Sequence, residues 1–494
     1  MKTKLIGSLA FLTAVLLTAS CARGVDEESF SAGVTNTQLE SPTIDEASFS
    51  ILTNPDGTES IKLAWPVVYG AGGYLCNVQC VENPEDESVT AENPLTVIQD
   101  SIIDGCSVAF AKIEDAVYNI SVKTLGNDKL NNTDATEATT YQYSALVPAT
   151  TIPAGSDIAE YINANLTNSD KEQGFALEAG QTYTLNSKVD FGLNQITLRS
   201  TATNGAHPRV IVGAEGTLMT QAGLKIKFID FDCTNATQTS LITLSDTPDA
   251  SILNKNLGYT GGSLKDCYII EKPVIVQDCN VKNLKGSILY ANKISWGLKD
   301  FRIVNCIMQL ANDSKTFIDL SETSGSTSLI KSLSIEKNTF YNIKDNSSKY
   351  FIRYANSSNA QPKKVFGDNQ NSATFSLKNN TFSKMMSGKD FGNNMPNTNT
   401  LITILENNIF YDTYRINKAL PTQGERTYKN NIIWGVTKSI DGNDLSRTDS
   451  NGNTIATEED PGFGMILQEL DLDQTNGGVN FTPQGTKVGD PRWL

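Results

Sequence analysis

Short segments in which apolar and polar residues alternate dominate the chain. Ile61-Lys62-Leu63-Ala64-Trp65 alternates ahead of a Gly70-Ala71-Gly72-Gly73 turn, and Tyr74, Cys76, Val78 and Cys80 then share one face of a strand. Tyr118-Asn119-Ile120-Ser121-Val122 alternates again, and residues 139–144 can close that sheet. Residues 157–166 break the period of two. Their apolar positions fall at helical spacing behind Asp157, which predicts a short helix with Asp157 at its N-cap. Strands resume at Phe175-Ala176-Leu177, Thr182-Tyr183-Thr184-Leu185 and Ile196-Thr197-Leu198. Residues 1–20 follow another rule. Lys2 and Lys4 precede an apolar run over 5–17, and Ala19 and Ser20 lead to Cys21, the order of an export leader. No later stretch reaches the roughly 18 apolar residues a membrane helix needs.

From Lys225 onward one phrase recurs: Asp232-Cys233, Asp266-Cys267, Asp278-Cys279, Asn305-Cys306, Asn338-Thr339, Asn380-Thr381, Asn408-Ile409 and Asn431-Ile432. Each follows an alternating strand such as Leu333-Ser334-Ile335-Glu336. From Asn305 to Asn431 the steps are 33, 42, 28 and 23 residues, an irregular period expected of stacked coils that share a core and differ in their loops. The 12 residues from Asp266 to Asp278 are too few for a coil, so one of those copies belongs to another side of the same coil. Asn and Asp tolerate left-handed backbone and suit a turn between strands. In a stack, the same Asn on neighbouring coils can bond above and below itself. Cys233, Cys267, Cys279 and Cys306 fall inside the phrase and read as buried, stacked thiols. Cys76, Cys80 and Cys106 lie in the earlier sheet region, where an exported compartment permits one disulfide.

Several of these segments carry a resemblance. Leu16-Leu17-Thr18-Ala19-Ser20-Cys21 resembles a bacterial lipobox, in which the cysteine is acylated and becomes the first mature residue; Thr18 stands where leucine is commoner. Asp26-Glu27-Glu28 resembles the acidic signal that carries some lipoproteins to the outer face of the outer membrane. Acyl chains would hold the protein there at about 0.8 kcal/mol per buried CH2. Residues 21–41 then serve as anchor and acidic tether. Residues 42–148 are similar to a fibronectin type III domain, through the Leu63-Ala64-Trp65 strand end, the glycine turn before Tyr74, and the Tyr118-to-Val122 strand. Trp65 is read as its core tryptophan. Residues 149–494 resemble the pectate-lyase-like right-handed β-helix family, which opens with a capping helix and a Leu177-Glu178-Ala179-Gly180-Gln181-Thr182-Tyr183-like strand. The expected fold is therefore all-β, a sandwich followed by a right-handed, single-stranded parallel β-helix. The end of the chain, Asp460-Pro461-Gly462-Phe463, Asn480-Phe481-Thr482-Pro483 and Gly489-Asp490-Pro491-Arg492-Trp493-Leu494, resembles the closing segment of β-helix lipoproteins encoded with bacterial glycan-uptake systems. That resemblance implies a non-catalytic surface protein that binds a plant cell-wall polysaccharide, a pectic one by association, and hands it to an uptake complex.

Charge narrows the ligands. The chain carries −15, and loss of Lys2 and Lys4 with the leader takes it to −17. Such a body does not attract nucleic acid or anionic lipid at long range. A uronate polymer would need Ca2+ or a local basic groove, for which Lys299, Arg353 and Arg415 are the candidates. A neutral glycan needs only ring faces and hydrogen-bonding groups. Trp296 with Lys299, Tyr350-Phe351-Ile352-Arg353-Tyr354, Tyr411-Asp412-Thr413-Tyr414-Arg415 and Trp434 offer that mixture.

Two other classes stay open. A Ca2+-dependent lyase acting on uronates would draw on Asp230, Asp232, Asp266 and Asp278 as metal ligands, although these are also ordinary turn residues. The base-bearing segments that classical pectate lyases and polygalacturonases show are missing, and His207 sits in a Gly205-Ala206-His207-Pro208 turn. A structural or adhesive stalk would need no saccharide site.

Overall fold

A computed structural model describes residues 34–494 apart from 85, 87, 313, 322–325, 345–349, 386–389, 414, 436–447 and 464–468. The leader, Cys21 and most of the tether lie outside the described residues, as does Tyr414. The chain divides into two compact units, one reaching Leu146 and the other starting at Val147 and also holding Pro55–Thr58.

The first unit is antiparallel. β1 (Phe49–Thr53), β2 (Glu59–Ala64) and β5 (Ser107–Ala111) form one sheet in the order β1-β2-β5. β3 (Gly73–Glu82), β4 (Leu95–Ile103), β6 (Val117–Leu125) and β7 (Thr139–Ser144) form a second in the order β4-β3-β6-β7. Alternation decides which side is core: Ile61 and Leu63 from one sheet meet Cys76, Val78, Tyr118, Ile120 and Val122 from the other. Trp65 is buried edge-on to Tyr74, with ring centroids 5.4 Å apart. The Tyr118 hydroxyl accepts the Ile113 N–H at 2.8 Å, tying the start of β6 to the chain five residues before it. Cys76, Cys80 and Cys106 are free thiols. Cys76 and Cys80 sit four residues apart along one strand, about 13 Å, too far to bridge. Burial pushes the Cys76 thiol up to about 11.

The second unit opens with a helix, Ile158–Asn165. The Asp157 carboxylate caps it by accepting the Glu160 N–H at 3.0 Å, and Ile158, Ala159 and Ile162 turn inward over the first coil. Among the described residues, three parallel sheets of ten, seven and eleven strands follow, and successive coils add a strand to each. This is a β-helix-like winding. Side chains at one height on successive strands stack into rows. Leu198, Ile226, Val276, Ile303, Ile335, Leu377 and Leu405 lie in register along the eleven-stranded sheet and fill the interior. Phe340, Phe382 and Phe410 do the same along the ten-stranded sheet, stacked at 5.2 and 5.1 Å.

The corner from the eleven-stranded to the ten-stranded sheet takes two residues in each of six successive coils. The first is left-handed: Asp278, Asn305, Lys337, Asn379, Asn407 and Asn430 have φ between 49° and 58°. The second is buried: Cys279, Cys306, Asn338, Asn380, Asn408 and Asn431. Asp278 and Asn305 therefore hold the outer position, not the one held by Asn338 and its successors. Strand register puts Cys279 and Cys306 level with the buried asparagines, because Ile307 pairs with Thr339. Asp232-Cys233 and Asp266-Cys267 stand elsewhere. Asp232 ends a strand, Asp230–Asp232, and Cys267 precedes the strand Tyr268–Ile270.

Each buried asparagine is fully bonded. The amide Nδ2 of Asn338, Asn380 and Asn408 donates to Oδ1 of the next in line at 3.0, 2.9 and 2.9 Å. Its second hydrogen goes to the carbonyl of Ile303, Ile335 or Leu377, each at 2.8 Å on the coil before. Each Oδ1 along Asn338, Asn380, Asn408 and Asn431 also accepts the N–H of the previous corner residue, from Cys306 to Asn408, at 2.8–3.1 Å. Where the row begins, the Cys306 thiol donates to the equivalent carbonyl, Val276, at 3.6 Å.

The chain end folds back on the outer face of the ten-stranded sheet. Leu470, Val479 and Trp493 cover Ile307 and Tyr341. Trp493 Nε1 donates to Thr339 Oγ1 at 2.7 Å, Thr339 Oγ1 donates to Asp490 at 2.7 Å, and Arg492 holds the Asn305 side chain at 2.6 Å.

Asn380→Ala removes the acceptor of the Asn338 side-chain amide and backbone N–H and the donor to the Ile335 carbonyl at once, and is expected to cost about 3 kcal/mol. Asn379→Gly, at the left-handed position next door, is expected to stay within about 1 kcal/mol of the parent. Denaturant midpoints compare the two; equal losses would reject the network.

Candidate functional site

The sequence candidates do not all reach solvent. Trp296 is fully buried, 5.7 Å from Tyr268, and offers no ring face. Tyr354 is buried because the strand Ile352–Tyr354 turns its first and third residues inward and only Arg353 outward. Lys299 is nearly buried, its ammonium 2.8 Å from Glu271 and 5.5 Å over the Tyr259 ring. Arg415 is paired through Nε with Asp390 at 2.6 Å. Tyr411 is half-buried edge-on to Phe463. Trp434, in register with Tyr411, is 37% exposed.

The four aspartates are not brought together. Asp230 is buried between His207 Nδ1 at 2.9 Å and Asn280 Nδ2 at 2.8 Å. Asp232 closes its own turn by accepting the Thr234 N–H at 3.0 Å. Asp266 pairs with Lys255, and Asp278 accepts from Asn305 at the outer corner. Among the described residues, no group of three His, Cys, Asp or Glu could hold a metal ion. Turn-making, the ordinary use of these acids, accounts for Asp232 and Asp278.

What converges is the outward row of the seven-stranded sheet. Thr243, Tyr290, Asp319, Arg353 and Asn393 lie in register on successive coils, about 4.8 Å apart. The Tyr350 ring lies 5.8 Å from the Arg353 guanidinium. Arg353 Nε is shielded from solvent and has no hydrogen-bond partner among the described residues. Burial, then the Asp319 charge, raises the Tyr290 phenol above its usual value, so it stays a neutral donor. The row thus presents a ring, a carboxylate and a guanidinium side by side.

Two insertions leave the seven-stranded sheet just after the row and pack towards the eleven-stranded one, where Tyr259 meets Glu271 and Val365 meets Gly297. One, residues 245–267, leaves the strand Ser240–Leu244; the other, residues 355–372, leaves Ile352–Tyr354. They are welded: Lys265 N donates to Lys364 O at 2.9 Å, Asp368 N to Thr260 O at 3.1 Å, and Asn254 Nδ2 to Val365 O at 3.0 Å. The strands Ser287–Tyr290 and Ile318–Leu320 lie between the two departure points, so the weld arches across the coils of Tyr290 and Asp319. Gly297 lets the second insertion seat. A Cβ there would come within 2.5 Å of Val365 Cγ1 and 2.8 Å of Ile269 Cδ1.

Two family models match parts of the chain. One is a domain of unknown function, DUF4992, over residues 2–187, and the other is a domain of unknown function, DUF4957, over residues 181–343. No curated protein and no solved structure matches it. The second match takes in Tyr290, Asp319 and the first insertion, and stops before Tyr350, Arg353 and the second insertion. Tyr290 and Asp319 escaped notice in the sequence because nothing local distinguishes them from other outward strand residues. Only the stacking of coils sets them beside Arg353.

Gly297→Ala is expected to cost about 1–3 kcal/mol by overpacking. It should also speed hydrogen exchange in residues 254–262 and 358–368 while the phenylalanine stack stays protected. Unchanged exchange in both insertions would show that Gly297 does not seat the second insertion.

Proposed function

We propose that this chain is an acylated surface lipoprotein of the bacterial outer membrane that binds a plant cell-wall polysaccharide and presents it to an uptake complex. The observation that carries this reading is the in-register row of Tyr290, Asp319 and Arg353 with Tyr350, where ring, acceptor and donor groups stand partly exposed at sugar-sized intervals. The opposite treatment of the ten-stranded sheet supports it, since the chain end seals much of that outer face. The first unit is read as a fibronectin type III-like sandwich. Its strand orders β1-β2-β5 and β4-β3-β6-β7, and the Tyr118 hydroxyl bond to the chain before β6, favour that fold. The second unit is read as a pectate-lyase-like, right-handed β-helix whose loops, not its core, carry the binding groups.

Binding is favoured over a lyase because the row sets a ring, a carboxylate and a guanidinium side by side, while the four aspartates proposed for Ca2+ are spread over separate turns and pairs. Arg415 and Lys299 are engaged by Asp390 and Glu271, so of the three cations proposed for a uronate, Arg353 is the one that faces the row. A stalk would not need an outward ring beside a guanidinium whose Nε has no hydrogen-bond partner among the described residues. Trp434 supports a second contact at the far end of the ten-stranded sheet.

Titration of the full-length protein in detergent against cell-wall glycans tests the reading. Tyr290→Ala and Arg353→Ala should each weaken binding by roughly tenfold, since a stacked ring or a charged hydrogen bond contributes about 1–2 kcal/mol. Release of unsaturated product with Ca2+ present, or no glycan bound at millimolar concentration, would reject it. For the anchor, Cys21→Ala should abolish palmitate labelling and leave the protein unprocessed or soluble. Normal labelling of that variant would dismiss the lipobox.

A further inference from the structure

The outward face of the ten-stranded sheet carries a second row. Gln309, Tyr341, Ser383, Tyr411 and Trp434 lie in register on successive coils, an amide and a hydroxyl interleaved with rings. Trp434 is open to solvent, whereas Tyr341 lies beneath the folded-back chain end and Gln309 beside it is fully buried. That end, residues 469–494, is clasped at both extremities. Asp473 pairs with Arg209 near its start. Near its finish Gly489 N donates to Asn407 O at 2.9 Å, Asp490 N to Thr381 Oγ1 at 3.1 Å and Trp493 Nε1 to Thr339 Oγ1 at 2.7 Å. The middle fits the row poorly. Leu470, Val479 and Phe481 cover Tyr341 with apolar atoms, the Phe481 ring 5.2 Å from the Tyr341 ring. Under this cover the Tyr341 hydroxyl has no hydrogen-bond partner among the described residues, and neither has Nε2 of Gln309, its neighbour in register. Gln309 keeps one bond, its Oε1 accepting the Asn283 N–H at 3.3 Å. Burial, then the Glu469 charge, raises the Tyr341 phenol, so it stays a neutral donor. Two adjacent donors shut away from water oppose the closure that the clasps enforce.

We propose that residues 469–494 are a displaceable strap over a second saccharide row, and that an uncharged polysaccharide strand, entering from the open Trp434 end, displaces it. Sugar C–H faces stack on Trp434 and, in place of Phe481, on Tyr341, while sugar oxygens accept from the Tyr341 hydroxyl and the Gln309 amide. The strand is uncharged because the donors it meets are an amide and a phenol, and the Glu469 charge beside Tyr341 repels a uronate. A sugar thus satisfies the groups that the strap leaves unsatisfied. This rests on the carbohydrate-binding reading and adds a second face to the row of Tyr290, Asp319 and Arg353.

The test uses full-length protein in detergent and a neutral galactan. R492A/W493A opens the clasp and is expected to bind galactan roughly tenfold more tightly than the parent. Y341F keeps the ring and removes a buried, unpartnered hydroxyl, so it should hold the strap shut: hydrogen exchange in residues 470–493 slows severalfold and galactan binds more weakly. In the parent, saturating galactan should speed exchange in those residues while the strands of Phe340, Phe382 and Phe410 stay protected, a readout that needs no substitution. Faster exchange of the strap in Y341F, or parent exchange that galactan leaves unchanged, overturns the strap. If Tyr290→Ala still weakens galactan in that case, the carbohydrate-binding reading survives; if neither face binds any glycan, both fall. An R492A/W493A protein that self-associates without gaining galactan affinity shows the chain end to be a permanent seal and overturns the strap as well.

Discussion

A carboxamide inside a protein must find partners for two hydrogens and an oxygen, or its burial is costly. Asn338, Asn380 and Asn408 solve this only together, each using the asparagine on the next coil and the carbonyl on the coil before, and Asn431 ends the row on the carbonyls of Leu405 and Ile455. Such a row tolerates no slippage. A shift of one residue would put apolar side chains outside and leave the amides unpaired. The corner it occupies is therefore kept to two residues, and the chain must vary its length elsewhere. Both long insertions leave the seven-stranded sheet at its far corner. The insertions exist because one corner is locked and another is free, and the locked corner keeps the strands of Tyr290, Asp319 and Arg353 in step.

Much of the architecture was legible, with a one-residue error that is instructive. Asn305 and Asn338 look alike in sequence, yet one is the left-handed outer residue and the other the buried inner one. Asparagine suits both places for different reasons, backbone tolerance in one and hydrogen-bonding capacity in the other. Only strand pairing separates them. It also shows that Cys279 and Cys306 do part of the asparagine's work, each donating a thiol to a carbonyl one coil earlier.

The site was less legible. Arg353 and Tyr350 could be named from composition. Trp296 could not be told from a surface ring, because its burial comes with strand pairing: it lies level with Tyr268 on the neighbouring strand, the rings 5.7 Å apart. Lys299 and Arg415 read as open cations, and their acids lie 28 and 25 residues away in sequence. Charge balance inside a fold is a property of pairs, and a sequence displays its charges singly.

The folded-back end carries a consequence for how the molecule is made. Trp493 and Arg492 dock on Thr339 and Asn305, residues that leave the ribosome more than 150 positions earlier. Until residues 470–493 arrive, Ile307 and Tyr341 stand uncovered on a finished sheet. A half-made chain therefore carries an apolar strip on an otherwise folded stack of coils, a place where neighbouring nascent copies can stick to one another.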